Sequence, residues 1–177
     1  CLSDTPQSVE IHPGAPSRTV ARVSENSVGA GATVQVGCEM FDAYDNEVPG
    51  APSEVVVDPA TSGLTIQDEE LTVALAGEYL ISCLTPGATD VFADALEVTA
   101  GPPAAISASL TTRRRVYRRD DVLEILAVVT DEHGNIIDNP ELSLASTRLL
   151  RPFGGTRFRP VDEGNYAVTV TVARPTV

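Results

Sequence analysis

The chain has 177 residues, of which 42% are apolar and 21% charged, and a net charge of −13. That balance excludes a disordered chain, and no stretch approaches the roughly 18 unbroken apolar residues of a membrane-spanning helix. Valine, threonine and alanine dominate the apolar and small positions, and a chain with no Trp, one Met and four Phe is not the composition of a greasy ligand-binding barrel.

Residues 1–16 contain three prolines and little periodicity, so they read as an extended leader or tether in which only Val9-Glu10-Ile11 is strand-like. Short alternating segments follow at Arg18–Val23, Thr33–Phe41, Glu54–Val57, Gly63–Gln67, Leu71–Leu75, Gly77–Leu84 and Val91–Val98. Seven strands between turn residues predict a two-sheet sandwich over 17–100. No window sustains helical spacing without an intervening Gly or Pro, so an all-β fold is expected.

The pattern then repeats. Val34 through Val48, a strand running into the polar turn Asp42-Ala43-Tyr44-Asp45-Asn46-Glu47, recurs 89 residues on as Leu123 through Asp131-Glu132-His133-Gly134-Asn135-Ile136. Gly77-Glu78-Tyr79 recurs as Gly164-Asn165-Tyr166 at an offset of 87 residues. A period of that size is a domain, too long for a solenoid unit. The second domain is therefore placed at 101–177, after the short stiff hinge Gly101-Pro102-Pro103. In it Leu123, Ile125, Ala127 and Val129 are expected to face Tyr166, Val168, Val170 and Val172.

Alternation puts Val34, Val36, Cys38 and Met40 on one strand face and Tyr79, Ile81 and Cys83 on another, so both thiols point into one core. They are either a disulfide, which implies an oxidising compartment, or two reduced buried cysteines. In the second repeat Ala127 and Val170 take the two positions, and the joint loss of both cysteines favours the bridge.

These residues resemble immunoglobulin-like domains, in which inward cysteines on the second and sixth strands form the inter-sheet disulfide and Gly77-Glu78-Tyr79 looks like the tyrosine corner. The tyrosine precedes Cys83 by four residues where antibody domains have two. A closer likeness is to bacterial immunoglobulin-like domains of the invasin and intimin type, whose second strand ends in Asp, two residues, Gly-Asn and an aliphatic residue. Asp131 to Ile136 fits that pattern; Asp42 to Glu47 departs from it with Asp45 for Gly and Glu47 for the aliphatic residue. The resemblance implies two tandem immunoglobulin-like β-sandwiches at a cell surface.

Cys1-Leu2-Ser3 followed by Asp4-Thr5-Pro6-Gln7-Ser8 resembles the mature start of a bacterial lipoprotein. That likeness implies a lipid on Cys1 and anchorage to the outer membrane, the sole membrane contact expected; an arbitrary chain boundary is the alternative reading.

Charge divides unevenly. Residues 1–100 carry 16 acidic and 2 basic side chains, residues 101–177 carry 9 and 10, and every basic residue is Arg. Arg113, Arg114, Arg115, Arg118 and Arg119 crowd one segment around Tyr117, and Arg148, Arg151, Arg157 and Arg159 follow. Arg113 to Arg119 with Arg157 and Arg159 form the candidate interaction patch. A net-acidic exported chain argues against nucleic acid as its partner. The readings left are a solvated strand and turn, or an electrostatic contact with an acidic neighbour such as the first domain of another copy.

Candidates for catalysis are scarce. His12 lies in the leader and His133 in a turn, neither beside a nucleophile motif, and Gly154-Gly155 lacks the Lys-Ser of a phosphate-binding loop. Asp42, Asp45, Asp131 and Asp138 read as turn residues; a calcium role would need a ligand spacing they do not reproduce, so no metal or cofactor is expected. The expected function is a non-catalytic extracellular stalk or fibre module, with a glycan- or protein-binding adhesin as the alternative. Tyr44, Phe153 and Phe158 are the candidate stacking rings for a glycan.

One further expectation concerns the last strand. At an offset of 87 the counterpart of Val91–Val98 begins near position 178. The second sandwich is therefore expected to stop one strand short. Either the chain is a fragment of a longer array or a neighbouring molecule adds the strand, with Ser8–His12 as the available donor and a head-to-tail contact between copies as the result.

Overall fold

The computed structural model describes residues 10–114 and 116–172. These described residues form two compact units, the first built from residues up to Val28 with Ala32–Val98, the second from those after Val98 with Gly29–Gly31. All regular elements among the described residues are strands. In order they are β1 (Arg18–Val23), β2 (Ser27–Gly29), β3 (Thr33–Phe41), β4 (Glu54–Asp58), β5 (Leu64–Gln67), β6 (Glu70–Val73), β7 (Gly77–Leu84), β8 (Asp90–Phe92) and β9 (Asp94–Thr99). The second repeat continues with β10 (Ala105–Leu110), β11 (Leu123–Thr130), β12 (Leu142–Ser146), β13 (Leu150–Pro152), β14 (Arg157–Pro160) and β15 (Val168–Val172).

The first unit is a sandwich of sheets β5-β6-β3-β1-β8 and β2-β9-β7-β4. Strict alternation along β3 and β7 buries Val34, Val36, Met40, Tyr79, Ile81 and Cys83, and Leu96 and Val98 of β9 close the same core. The single strand expected over Val91–Val98 is broken at Ala93. Its first part pairs parallel with β1 in one sheet and its second antiparallel with β7 in the other. Chain order alone gives no sign of that switch. The strand expected at Leu71–Leu75 begins instead at Glu70 and ends at Val73, where it pairs with β5 across the turn residues Asp68 and Glu69.

Several ties cross between these sheets, among them a hydrogen bond from the Val23 N–H on β1 to Asp94 Oδ2 on β9 at 3.0 Å. Cys38 on β3 and Cys83 on β7 are bonded, with their Cα atoms 5.8 Å apart. The hydroxyl of Thr19 on β1, fully buried, donates to the Cys83 carbonyl at 2.7 Å. Buried without a partner it would cost about 1–3 kcal/mol; bonded, it fixes β1 against β7.

The second unit pairs β10-β11-β14-β13 in one sheet and β12 with β15 in another. Leu123, Ile125, Leu150 and Phe158 form its buried cluster, with Leu110, Tyr117, Leu144, Tyr166, Val168 and Val170 half-buried around it. Val129 is also buried, but Ala127 is only half so, and the β15 valines do not reach the burial of their counterparts on β7. Among the described residues β15 pairs with β12 alone, whereas β7 has β4 on one side and β9 on the other. Residues 173–177 lie outside the described ones. Glu10 and Ile11 form no strand, and Val9 is likewise outside them.

Each repeat anchors its Tyr the same way: the Tyr79 hydroxyl donates to the Leu75 carbonyl at 2.9 Å, and that of Tyr166 to the Asp162 carbonyl. Each also fastens its polar turn to the segment that enters the domain. Asp42 Oδ1 accepts from the backbone N–H of Tyr44 and Asn46 at 2.8 and 2.9 Å, and Oδ2 accepts from the Gly14 N–H, 28 residues earlier, at 2.8 Å. Asp131 Oδ1 accepts from the His133 and Asn135 N–H, both at 2.9 Å, and its Oδ2 from the Gly101 N–H, 30 residues earlier, at 2.8 Å. Asn46 and Asn135 donate their side-chain amides to the same carboxylates. The geometry needs left-handed backbone one residue before each Asn. Gly134 supplies it at φ 88°, and Asp45 supplies it at φ 63°, one of the few non-Gly residues at home there. The departure of the first turn from the family pattern therefore leaves its shape intact.

These donors lower both carboxyl pKa values. The Asn46 amide, then the Gly14 N–H, hold Asp42 far below its ordinary 3.8, against the opposing effect of burial. Burial pushes Asp131 up, but the Asn135 amide and the N–H groups of Gly101, Asn135 and His133 outweigh it and hold the group at about 2.

Two stability predictions result. Reduction of the Cys38–Cys83 bridge, which spans 45 residues, should lower the stability of the first domain by about 4 kcal/mol and leave the second domain's transition in place, read by calorimetry with and without reductant. For Asp131 the folded pKa lies below the unfolded one, so its ionised form stabilises the fold above pH 3.8 and that contribution is lost as pH falls toward about 2. Asp131→Asn should cost about 1–3 kcal/mol at pH 7, and the gap between variant and parent should close over that acid window in pH-dependent thermal denaturation.

Candidate functional site

The described residues of the arginine-rich segment form no strand. Residues 111–122 form the loop between β10 and β11, and Arg115 lies outside the described residues. The loop is held by its own polar groups. Arg114 pairs with Asp121 at 3.0 Å, the Arg118 N–H donates to the same carboxylate at 2.6 Å, and the Tyr117 hydroxyl donates to the Thr112 carbonyl. Arg119 Nη2 donates to the Val161 carbonyl at 3.0 Å, which fastens the loop beside the end of β14. A depression of about 760 Å³ opens there between Tyr117, Arg118, Arg119, Pro160, Asp162 and Tyr166. Its charges are mixed, with Asp162 and Glu163 opposite the arginines.

Arg157 and Arg159 behave differently. They alternate with Phe158, so when β14 buries Phe158 both guanidinium groups point out of the sheet. Arg159 lies 3.8 Å from the centre of the Phe153 ring and Arg157 5.9 Å from it. Across the hairpin, Arg151 on β13 stands directly opposite Arg159. Among the described residues none of these three arginines forms an ion pair. The outer face of this sheet is thus a preorganised basic plate with a ring in it. Arg113, Arg114, Arg118 and Arg119 thus lie in the loop before β11, and Arg157 and Arg159 on β14.

Of the three candidate stacking rings, Tyr44 is 86% exposed at the tip of its turn and Phe153 44% exposed, but Phe158 is only 3% exposed. Phe158 is a core residue: its place in Arg157-Phe158-Arg159-Pro160 gives the alternation away once that stretch is recognised as a strand. Sequence reasoning missed Arg151 as the cross-strand partner of Arg159, because that partnership needs the hairpin register.

His12 lies 3.8 Å from Glu10 and His133 3.5 Å from Glu132. Neither is bonded to a hydroxyl or thiol among the described residues. Asp45, one of the carboxylates weighed as a calcium ligand, is engaged by Arg18 at 2.9 Å. Cys1 lies outside the described residues.

Against the second domain's core a smaller apolar cavity of about 230 Å³ opens between the sheets, lined by Leu110, Leu123, Ile125, Leu150, Val168 and Val170.

No protein-family profile and no curated protein matches the chain. Solved structures do match. The Escherichia coli adhesin FdeC aligns at 18% identity over 89% of this chain and 60% of its own, with a TM-score of 0.49. Invasin, described as a bacterial integrin-binding protein, aligns at 18% identity over 90% of this chain and 37% of its own, with a TM-score of 0.53. The S-layer protein SbsC aligns at 13% identity over 94% of this chain and 27% of its own, with a TM-score of 0.32. The chain thus spans a little over half of the first of these proteins and about a third of the second. The strand order, the inter-sheet disulfide, the anchored tyrosines and the likeness to invasin together give the fold: two tandem immunoglobulin-like β-sandwiches.

Proposed function

We propose that the chain is a non-catalytic structural module of a bacterial cell surface, one or two links of a stalk or fibre built from immunoglobulin-like domains. The observation that carries this reading is the carboxylate that ties the entering segment to the second core strand in both repeats. A domain that captures its own incoming segment can be added in series without redesign. The invasin-like fold and the disulfide of an oxidising compartment support a surface location. Lipid anchorage through Cys1 belongs to this proposal, since a tandem spacer needs a fixed end.

A second reading, that of an adhesin, is favoured by one feature: Phe153 with Arg157 and Arg159 forms an exposed ring-and-cation plate of the type that binds an acidic glycan or protein.

Two measurements decide. Intact mass of the native protein should show a diacylglyceryl-sized increment on an N-terminal peptide beginning at Cys1, and an unmodified peptide, or one extended upstream, removes the anchor. The full chain on glycan and extracellular-matrix arrays should give no saturable binding; saturable binding abolished by Phe153→Ala with unchanged thermal stability would replace the structural reading with the adhesin one.

A further inference from the structure

Each domain carries on one outer sheet face a cross-strand pair of like charges, and the two pairs have opposite signs. In the first domain Glu78 on β7 is directly opposite Glu97 on β9. In the second, Arg151 is directly opposite Arg159. Like charges facing each other across a ladder are destabilising, and neither pair is neutralised by an ion pair among the described residues.

The surroundings of the two pairs are also complementary. On the acidic face, Leu80 and Leu84 are 52% and 47% exposed. Register places Leu80 between Asp58 on β4 and Ala95 on β9, and Leu84 beside Glu54. The result is an apolar centre with a rim of Glu54, Asp58, Glu78 and Glu97. On the basic face, Leu126 and Phe153 are 55% and 44% exposed, Arg157 and Arg159 stand by the ring, and Arg151 is opposite Arg159. Glu124 lies opposite Arg157 in register and is the acid of that face. An apolar centre with a charged rim is the anatomy of a protein–protein contact.

We propose that these two faces are the halves of a single contact between copies of this chain: the Arg151–Phe153–Arg157–Arg159 face of one copy docks on the Leu80–Leu84 face of another. A soluble polyanion would satisfy the arginines but leave the acid-rimmed leucines without a role; a second copy satisfies both. Because the two faces differ, the contact is heterologous, and each copy that uses its basic face still offers its acidic one, so association propagates into a filament or closes into a ring. This deepens the structural reading by naming its partner.

The test is sedimentation of the full chain across concentration and salt. Association is expected at about 0.02 M NaCl and should weaken at least about tenfold by about 0.5 M, as rim charges are screened. Arg159→Glu and Glu97→Arg should each abolish association, and an equimolar mixture of the two variants should restore it, since every contact in the mixture again joins opposite charges. Both positions are exposed, so thermal transitions should match the parent; if either variant unfolds, Arg151→Glu with Glu78→Arg takes its place. A chain monomeric at all salts, or a mixture no better than its separate components, overturns the contact and leaves the stalk reading standing. Retention on heparin lost in Arg159→Glu but unchanged in Glu97→Arg, with no self-association, would overturn it too and assign the basic face to an anionic polysaccharide.

Discussion

A buried carboxylate at the end of the second core strand organises each domain. Asp42 and Asp131 are nearly inaccessible, and an ionised group can be held there only if its lone pairs are filled. Backbone N–H groups of the turn fill one oxygen, and the N–H of a linker glycine from the entering segment fills the other, so the charge that would be costly alone becomes the joint of three chain segments. The joint uses only the backbone N–H: a Cβ at Gly14 or at Gly101 would lie 3.4 Å from the accepting oxygen, an ordinary van der Waals distance. Replacing the acid would release the turn and the linker together, which no single turn hydrogen bond does.

Around this shared joint the two cores are completed differently. The first domain fills its interior from both sheets, with β9 laid beside β7, and adds the covalent tie of Cys38 to Cys83. The second has Ala127 and Val170 at the corresponding positions and buries a smaller set, with Tyr166, Val168 and Val170 only partly covered. Among the described residues the second domain buries five apolar side chains, Leu123, Ile125, Val129, Leu150 and Phe158, against twelve in the first, which leaves it less margin against the conformational entropy of folding.

What the sequence disclosed follows from what is periodic or repeated. Alternation along Thr33–Phe41 and Gly77–Leu84 determined which side chains face inward, and the repeat carried that knowledge into the second domain. Asp42 and Asp131 were legible as turn formers, because that role is played out over four residues. Their hold on Gly14 and Gly101 was not, because the partners are 28 and 30 residues away and a backbone N–H has no sequence signature. The split of Val91–Val98 was hidden for a related reason: every residue in it is compatible with a strand, and only pairing shows that its halves belong to different sheets. Phe153 and Phe158 look alike in the sequence, yet one lies at a hairpin end above its arginines and the other in the core.

The same distinction explains how the two repeats diverged. Positions tied to the joint, the anchored tyrosine and the inward faces are constrained by neighbours on every side, so Asp, Asn, Gly and Tyr recur in register. Outer sheet positions touch solvent and a few cross-strand residues, so their charge is free to drift. Drift, however, predicts mixed signs on both domains. The second domain is mixed overall, with 9 acids and 10 bases, but the first carries 16 acids against 2 bases, and the hairpin of the second sets Arg151 opposite Arg159, which is stacked on Phe153 rather than neutralised. Cross-strand acids on one face and cross-strand bases on the other each cost stability in the isolated domain, and a cost of opposite sign on two faces of one chain is removed at once when those faces meet.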